Sequence, residues 1–218
     1  RYNVLMNMPP ETTSRNALIE QMISRASGAR PSQGNSIDIL LDSGENFPEW
    51  EAALSTAQES ICIEMYIFAP DVFGRRIRSI LLERLAAGVK VAIVYDWVGS
   101  INAHLRRFFK PLIAAGAEVR PYNPLGWISG IGLLSRNHRI SIKKKKKTAF
   151  VSGLCISTAW NGRPEKEISP WRDTGLKLTG PIVKDILAAF EDTLLSQNGK
   201  MPLLNRYEEE DKLPTGEA

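Results

Sequence analysis

The chain has 218 residues, of which 43% are hydrophobic, so it is long enough to bury one substantial core. Its formal charge is +4, but five of the 28 Lys and Arg residues form the run Lys143 to Lys147, and the other 23 nearly balance 24 acidic residues. This balance gives little support to a dedicated nucleic-acid-binding protein, which would spread basic residues over one face, but it leaves room for a local anion site. Two cysteines, Cys62 and Cys155, give no support to a disulfide scaffold or a cysteine zinc cluster.

Three regions are predicted along the chain. Residues 1–33 hold one helix, Glu11 to Ser27, and a joint that contains Gly and Pro. Residues 34–196 form an α/β domain. Residues 197–218 are polar and rich in turn-forming residues, so we expect a linker toward a missing second half. The apolar segments are too short or too interrupted for a transmembrane helix, although an upstream segment could carry an anchor.

Within the central domain, strand patterns alternate with helix patterns. Asn46, Asp71 and Asn102 are predicted to cap three helices, and Pro181 to Leu195 is predicted to form a closing helix. This alternation favours an α/β fold with a mixed, largely parallel sheet flanked by helices on both faces. The predicted strands are Ile37 to Leu41, Ser60 to Phe68, Val89 to Tyr95, Ala117 to Tyr122, Arg136 to Ile142, Thr148 to Ile156 and Asp173 to Leu178.

Several short stretches occur in an informative order. They are Cys62 to Phe68 followed by Asp71 and Gly74, Gly88 to Ser100, Asn137 to Arg139, Thr148 to Leu154, Trp171 to Thr174 and Gly180 to Val183. In this order they resemble the cardiolipin synthase branch of the phospholipase D superfamily, over about residues 34 to 195, and specifically its amino-terminal half. The ordered set is far more specific than any single stretch.

The resemblance implies a phosphatidyltransferase that works through a phosphohistidine, without metal or nucleotide cofactor. The family motif is His-x-Lys, four residues, then Asp, and it normally occurs twice. Here His138 occupies the nucleophile position, whereas Ile140 stands at the lysine and Lys145 at the aspartate. A second histidine-bearing half, from the same full-length chain or from a homodimer mate, would be needed to complete the site.

The lysine run has three open interpretations. Lys144 and Lys146 could reach a phosphate from the His138 face of the strand, or the run could be a solvated hairpin tip. Alternatively, it is an irregularity in the sequence itself. Cys155 replaces the small polar residue or Asn of the family, so one possible phosphate contact is missing, but Ser152 and Ser157 are nearby in the sequence and are further candidate phosphate contacts.

Four other residues are candidates for the site. Glu64 interrupts an apolar strand, so it either supports the site or forms a structural ion pair. Asp173 matches an acidic family position and either orients an imidazole or simply precedes a strand. Asp96 and Ser100 follow the carboxyl end of a strand, where α/β sheets place ligand loops, although a plain connection explains them nearly as well.

Two further segments carry weaker predictions. Leu125 to Leu134 is apolar and glycine-rich, so it either lines an acyl-chain groove, with Trp127 at the interface, or is an ordinary buried loop. His104 lies near a predicted helix start and is interpreted as a surface or capping residue.

The expected partners are an anionic phospholipid such as phosphatidylglycerol and a second phospholipase D-like half. The expected location is peripheral, at the cytoplasmic face of the membrane, or anchored by a region outside this segment. Two alternatives remain open: a catalytically silent half that completes the fold, and a phosphodiesterase or nuclease. The nearly neutral body disfavours nucleic acid as a substrate.

Overall fold

A computed structural model of the chain describes residues 10–27, 32–124, 139–143, 148–162, 166 and 168–201. The helices are α1 (Pro10–Ser27), α2 (Asp42–Ser55), α3 (Val72–Ala86), α4 (Ile101–Leu105), α5 (Lys110–Ala114) and α6 (Ile182–Ser196), with a short 3₁₀ helix at Thr158–Asn161. The strands are β1 (Ser36–Leu41), β2 (Ser60–Met65), β3 (Lys90–Asp96), β4 (Glu118–Tyr122), β5 (Arg139–Lys143), β6 (Thr148–Ser152) and β7 (Thr174–Thr179).

The seven strands form one sheet in the order β1, β7, β6, β5, β2, β3, β4. Strands β2, β3 and β4 run parallel to one another. The other pairings, from β1 through to β2, are antiparallel. The predicted mixed α/β sheet is therefore confirmed. The prediction that the sheet is largely parallel is wrong, because among these seven described strands only the β2–β3 and β3–β4 pairings are parallel. The few residues between β5 and β6 are too short for a parallel crossover, and β7 pairs antiparallel with both β6 and β1.

Helices cover both faces of the sheet, as predicted. The larger core lies under α2, α3 and α5 and contains the fully buried side chains of Trp50, Leu54, Ile77 and Leu112. On the opposite face, α6 packs Leu187, Phe190 and Leu194 against Cys62, Ala92 and Val94 of the sheet. Alternate residues of β2 and β3 thus enter two separate cores, which explains why these strands are apolar throughout.

Two predicted helix starts are wrong, and one is confirmed. Asp71 caps α3, and its side chain accepts a hydrogen bond from the Gly74 amide. Asn46 lies inside α2, where its Nδ2 donates to the carbonyls of Leu40 and Asp42. The helix predicted after Asn102 begins at Ile101 and is divided into α4 and α5.

In the described part of the chain, no helix has the length and apolarity to cross a membrane.

We predict that Phe190→Ala lowers the free energy of unfolding by about 3 to 5 kcal/mol, because the ring is fully buried beneath α6 and its loss leaves a cavity. Leu195→Ala on the same helix is the control, since Leu195 is exposed, and we expect a change within about 0.5 kcal/mol. Guanidinium unfolding of both variants provides the measurement. Equal losses would contradict a core between α6 and the sheet.

Candidate active site

The candidate residues that the structure describes lie at one edge of the sheet, where β2, β3 and β4 end. Strands β2, β3 and β4 end at this edge, and β5 begins at it, with Arg139 opposite both Glu64 and Val151. His138 is the residue directly before Arg139 in the chain. His138 itself, together with Lys144 and Lys146, lies outside the described residues, as does the segment 125–134. We call this edge the site edge.

Glu64 and Asp96 are buried carboxylic acids at the site edge, with 3% and 6% of their surfaces exposed. Glu64 lies opposite Val94, so Asp96, two residues further along β3, is on the same face of the sheet. Asp96 Oδ1 accepts a hydrogen bond from the Gly99 amide at 2.8 Å, which closes the turn after β3. The register thus places two acids beside the point where β5 begins.

Asp173 lies at the site edge through a reciprocal contact with Asp42. The Asp42 amide donates to the Asp173 carbonyl at 2.8 Å, and the Asp173 amide donates to Asp42 Oδ1 at 2.8 Å. Asp42 adopts a left-handed conformation with φ of 53°, which turns the chain directly from β1 into α2. Asp173 therefore directly precedes β7, at the same end of the sheet as the start of α2.

Gly153 leaves the space that the Asp173 carboxylate occupies. A Cβ atom at Gly153 would lie 2.6 Å from Asp173 Oδ2, closer than van der Waals contact allows. Asp173 Oδ1 also accepts a hydrogen bond from the Thr174 amide at 2.7 Å. The carboxylate is thus held over the end of β6, beside Ser152. Its predicted role in orienting an imidazole stays a prediction.

The three candidate serines occupy different environments. Ser100 is buried, where its hydroxyl donates to the Tyr66 carbonyl and accepts from the Phe68 amide. Ser157 is also buried and donates to Asp71 Oδ2 at 2.8 Å. Ser152 is half-buried, and its hydroxyl makes a long contact of 3.4 Å with the Leu154 carbonyl. Ser100 and Ser157 therefore have structural contacts, and Ser152 is the most available of the three for a ligand.

Asp71 joins two loops at the site edge, a role that sequence reasoning missed. Besides capping α3, its Oδ2 accepts hydrogen bonds from the Ser157 hydroxyl and from both the amide and the hydroxyl of Thr158. The distances are 2.7 to 2.9 Å. The signal in the sequence was the Asp71-x-x-Gly74 spacing, but only the cap could be read from it.

His104 is half-buried and lies against Tyr95, so the interpretation of it as a surface or capping residue is wrong. The Tyr95 hydroxyl and His104 Nδ1 are 2.7 Å apart. Burial raises the pKa of Tyr95 to about 12, so the phenol stays protonated near neutral pH. This pair ties α4 to β3.

A cavity of about 340 Å³ opens between α2, α3 and the 3₁₀ helix. Its apolar lining includes Phe47, whose ring stacks on that of Phe73 with centroids 3.9 Å apart. An ion pair of 2.6 Å between Arg76 and Glu51 lies at its rim. The cavity adjoins the first turns of α2 and α3, which follow β1 and β2 at the site edge.

Comparisons with curated proteins find cardiolipin synthases. Cardiolipin synthase 1 of Bacillus cereus is 29% identical over 210 residues, which are 95% of this chain and 40% of that protein. The probable cardiolipin synthase YwiE of Bacillus subtilis is 35% identical over 157 residues, or 72% of this chain and 31% of that protein. The chain therefore spans about a third of the length of these relatives. No family model matches the sequence.

Solved structures share the fold. The phospholipase D family member Nuc from Salmonella typhimurium aligns with a TM-score of 0.56 at 18% identity, covering 76% of this chain and 97% of Nuc. Phosphatidylserine synthase from Haemophilus influenzae aligns with a TM-score of 0.53 at 15% identity, covering 89% of this chain and 48% of that one. The mixed sheet with its site edge is thus the phospholipase D fold.

The class of protein is therefore that of the phospholipase D-like α/β proteins. Since the ordered motifs, the fold and the curated relatives agree, the chain belongs to the phospholipase D superfamily, in its cardiolipin synthase-like branch.

We predict that the folded chain loses stability as the pH rises from about 9 to 12, because two buried thiols and one buried phenol keep their protons to a higher pH in the folded chain than in the unfolded chain. Burial raises the pKa of Cys62 and of Cys155 from 9.0 to about 12, and that of Tyr95 from 10.0 to about 12. The unfolded chain releases these protons first, so a rise in pH favours unfolding. Guanidinium unfolding at several pH values measures the slope.

The double variant Cys62→Ala with Cys155→Ala is the control for this slope. It removes two of the three groups, so the fall in stability above pH 9 should be markedly shallower than in the unmodified chain. An unchanged slope in the double variant would contradict the assignment of the effect to buried thiols.

Proposed function

We propose that the chain supplies one half of the active site of a phospholipase D-type phosphatidyltransferase, cardiolipin synthase-like, with phosphatidylglycerol as the donor lipid. The observation that most directly supports this proposal is the site edge, where β5 begins directly after His138 and opposite the buried Glu64. The 35% identity to a protein named as a probable cardiolipin synthase supports the lipid substrate. The chain spans only part of such relatives, so a second half would complete the site.

The proposed reaction has two displacements at phosphorus. In the first, an imidazole nitrogen of His138, or of its counterpart in the second half, forms a bond to phosphorus, and the bond to the glycerol oxygen breaks. The other histidine gives its proton to that oxygen. In the second, a lipid hydroxyl loses its proton to this histidine and attacks phosphorus, and the nitrogen to phosphorus bond breaks.

The residues at the site edge would support this chemistry in different ways. Asp173 would orient an imidazole, and Glu64 and Asp96 would fix the surrounding loops and the polarity of the site. Ser152 offers a hydroxyl, and Lys144 and Lys146 offer positive charge for the phosphate.

A second candidate function is favoured by Ile140 and Lys145. These residues replace the lysine and the aspartate of the family motif, so this half lacks two groups that would stabilise phosphate charge. The chain would then be a catalytically silent half, which completes the fold and leaves the chemistry to its partner half. In both cases we propose a peripheral location at the cytoplasmic face of the membrane, with any anchor outside this segment.

We predict that His138→Ala in the full-length protein lowers the formation of diphosphatidylglycerol from phosphatidylglycerol in mixed micelles by at least about a thousandfold, because the variant loses either the nucleophile or the proton donor. His104→Gln is the matched control, because the chain contains two histidines and His104 contacts Tyr95. It should retain turnover if its unfolding midpoint is unchanged.

Unchanged turnover in His138→Ala would overturn the catalytic proposal and leave the silent half as the function of this chain. Cleavage of single-stranded DNA without lipid turnover would assign the protein to the nucleases instead.

We predict that Ile140→Lys combined with Lys145→Asp raises turnover about 10- to 100-fold, because a fixed cation near the phosphate stabilises charge in the transition state. Ser141→Lys is the control: it adds a lysine, as Ile140→Lys does, but at the next position of β5, and no gain in turnover is expected. The same micelle assay makes the comparison. Equal turnover in the double variant and the unmodified protein would show that these positions do not limit catalysis.

A further inference from the structure

The segment that follows β3 exposes three apolar side chains that are close together in the sequence. Leu105 is 69% exposed, Val98 43% and Ile101 36%, and all three lie in or next to α4. Single exposed apolar residues are ordinary, whereas neighbouring ones mark a surface that contacts something other than water. These three residues therefore form a candidate contact surface.

The same segment is basic without any acidic residue. Arg106 and Arg107 directly follow α4, Lys110 begins α5, and all three are exposed. Residues 97–117 contain no Asp or Glu. Among the ion pairs of the described residues, none involves these three cations. We call Val98, Ile101, Leu105, Arg106, Arg107 and Lys110 the α4 surface.

The α4 surface is held rigidly from below. Phe108 and Phe109 are buried in the larger core, so the chain on either side of them is fixed. Arg78 on α3 donates from Nη1 to the Phe108 carbonyl at 3.1 Å, and its guanidinium lies 4.3 Å from the centre of the Phe108 ring. The exposed side chains are thus displayed on a fixed frame, which lowers the entropic cost of binding.

The α4 surface adjoins the site edge. The turn that leads into α4 starts at Asp96, the last residue of β3, and its Ser100 hydroxyl is bonded to the loop after β2. A partner seated on the α4 surface would therefore lie beside the proposed site. For an enzyme that takes its substrate from a bilayer, this partner is the bilayer itself.

We propose that the α4 surface docks the protein onto an anionic bilayer surface. The three cations complement anionic headgroups, and the three apolar side chains reach the boundary between headgroups and acyl chains. The inference rests on the proposed function only in taking lipid as the substrate. An acidic protein surface is the competing partner, and binding to vesicles distinguishes the two.

The test measures sedimentation of the protein with vesicles of phosphatidylcholine and with vesicles of phosphatidylcholine and phosphatidylglycerol in equal parts. We expect binding to the anionic vesicles that weakens with salt. Each basic residue near an anionic surface adds about fivefold in affinity, so Arg106→Gln with Lys110→Gln should weaken binding about 25-fold. Leu105→Ser should weaken it about two- to threefold.

Matched controls lie elsewhere on the molecule. Lys90→Gln with Lys200→Gln removes two exposed lysines near the starts of β3 and β4, at the opposite edge of the sheet, and Leu195→Ser removes an exposed leucine on α6. These variants should bind as the unmodified protein does. Equal weakening by the two double variants, or no weakening by either, would overturn the proposal.

Two further readouts complete the test. Loss of self-association in Arg106→Gln with Lys110→Gln, with vesicle binding unchanged, would overturn bilayer docking and assign the α4 surface to a protein partner. His138→Ala should bind vesicles normally, so its loss of turnover bears only on the proposed function. Normal turnover of the charge variant in micelles, with weakened vesicle binding, would support docking.

Discussion

The pairing of β5 with β2 is the constraint on which the rest of the structure depends. It joins the parallel strands β2, β3 and β4 to the antiparallel strands β5, β6, β7 and β1 in one sheet. It also fixes the register of Arg139 opposite Glu64, because a slip of one residue would exchange the two faces of β5. This register places Arg139, the residue directly after His138 in the chain, at the site edge.

Polar contacts between loops then fix the site edge itself. Asp71 holds the start of α3 to the 3₁₀ helix, and Asp173 is held to Asp42 at the start of α2. Ser100 joins the turn after β3 to the loop after β2. These bonds connect segments that are far apart in the chain, so they hold the loops around the site edge to one another. The α4 surface is fixed to this same frame through Phe108.

Local pattern predicted the helices and strands better than their pairing. The cap at Asp71 was visible because a side-chain cap is a contact over three residues. Asn46 looked the same in sequence, yet its side chain bonds to the carbonyls of Leu40 and Asp42, since β1 turns directly into α2. The contact between Tyr95 and His104 and the space that Gly153 leaves for an aspartate depend on tertiary packing, which no local pattern reports.

The register of β5 is tested most directly by a cross-link. Ser141 lies opposite Cys62, and directly opposed residues of antiparallel strands are close enough for a disulfide. In a Cys155→Ala background, Ser141→Cys should form a disulfide with Cys62 on mild oxidation, detected by mass spectrometry of the digested chain. Ile140→Cys and Ile142→Cys in the same background should not. A bond to Cys62 in either of those variants, with none in Ser141→Cys, would contradict the register and with it the site edge.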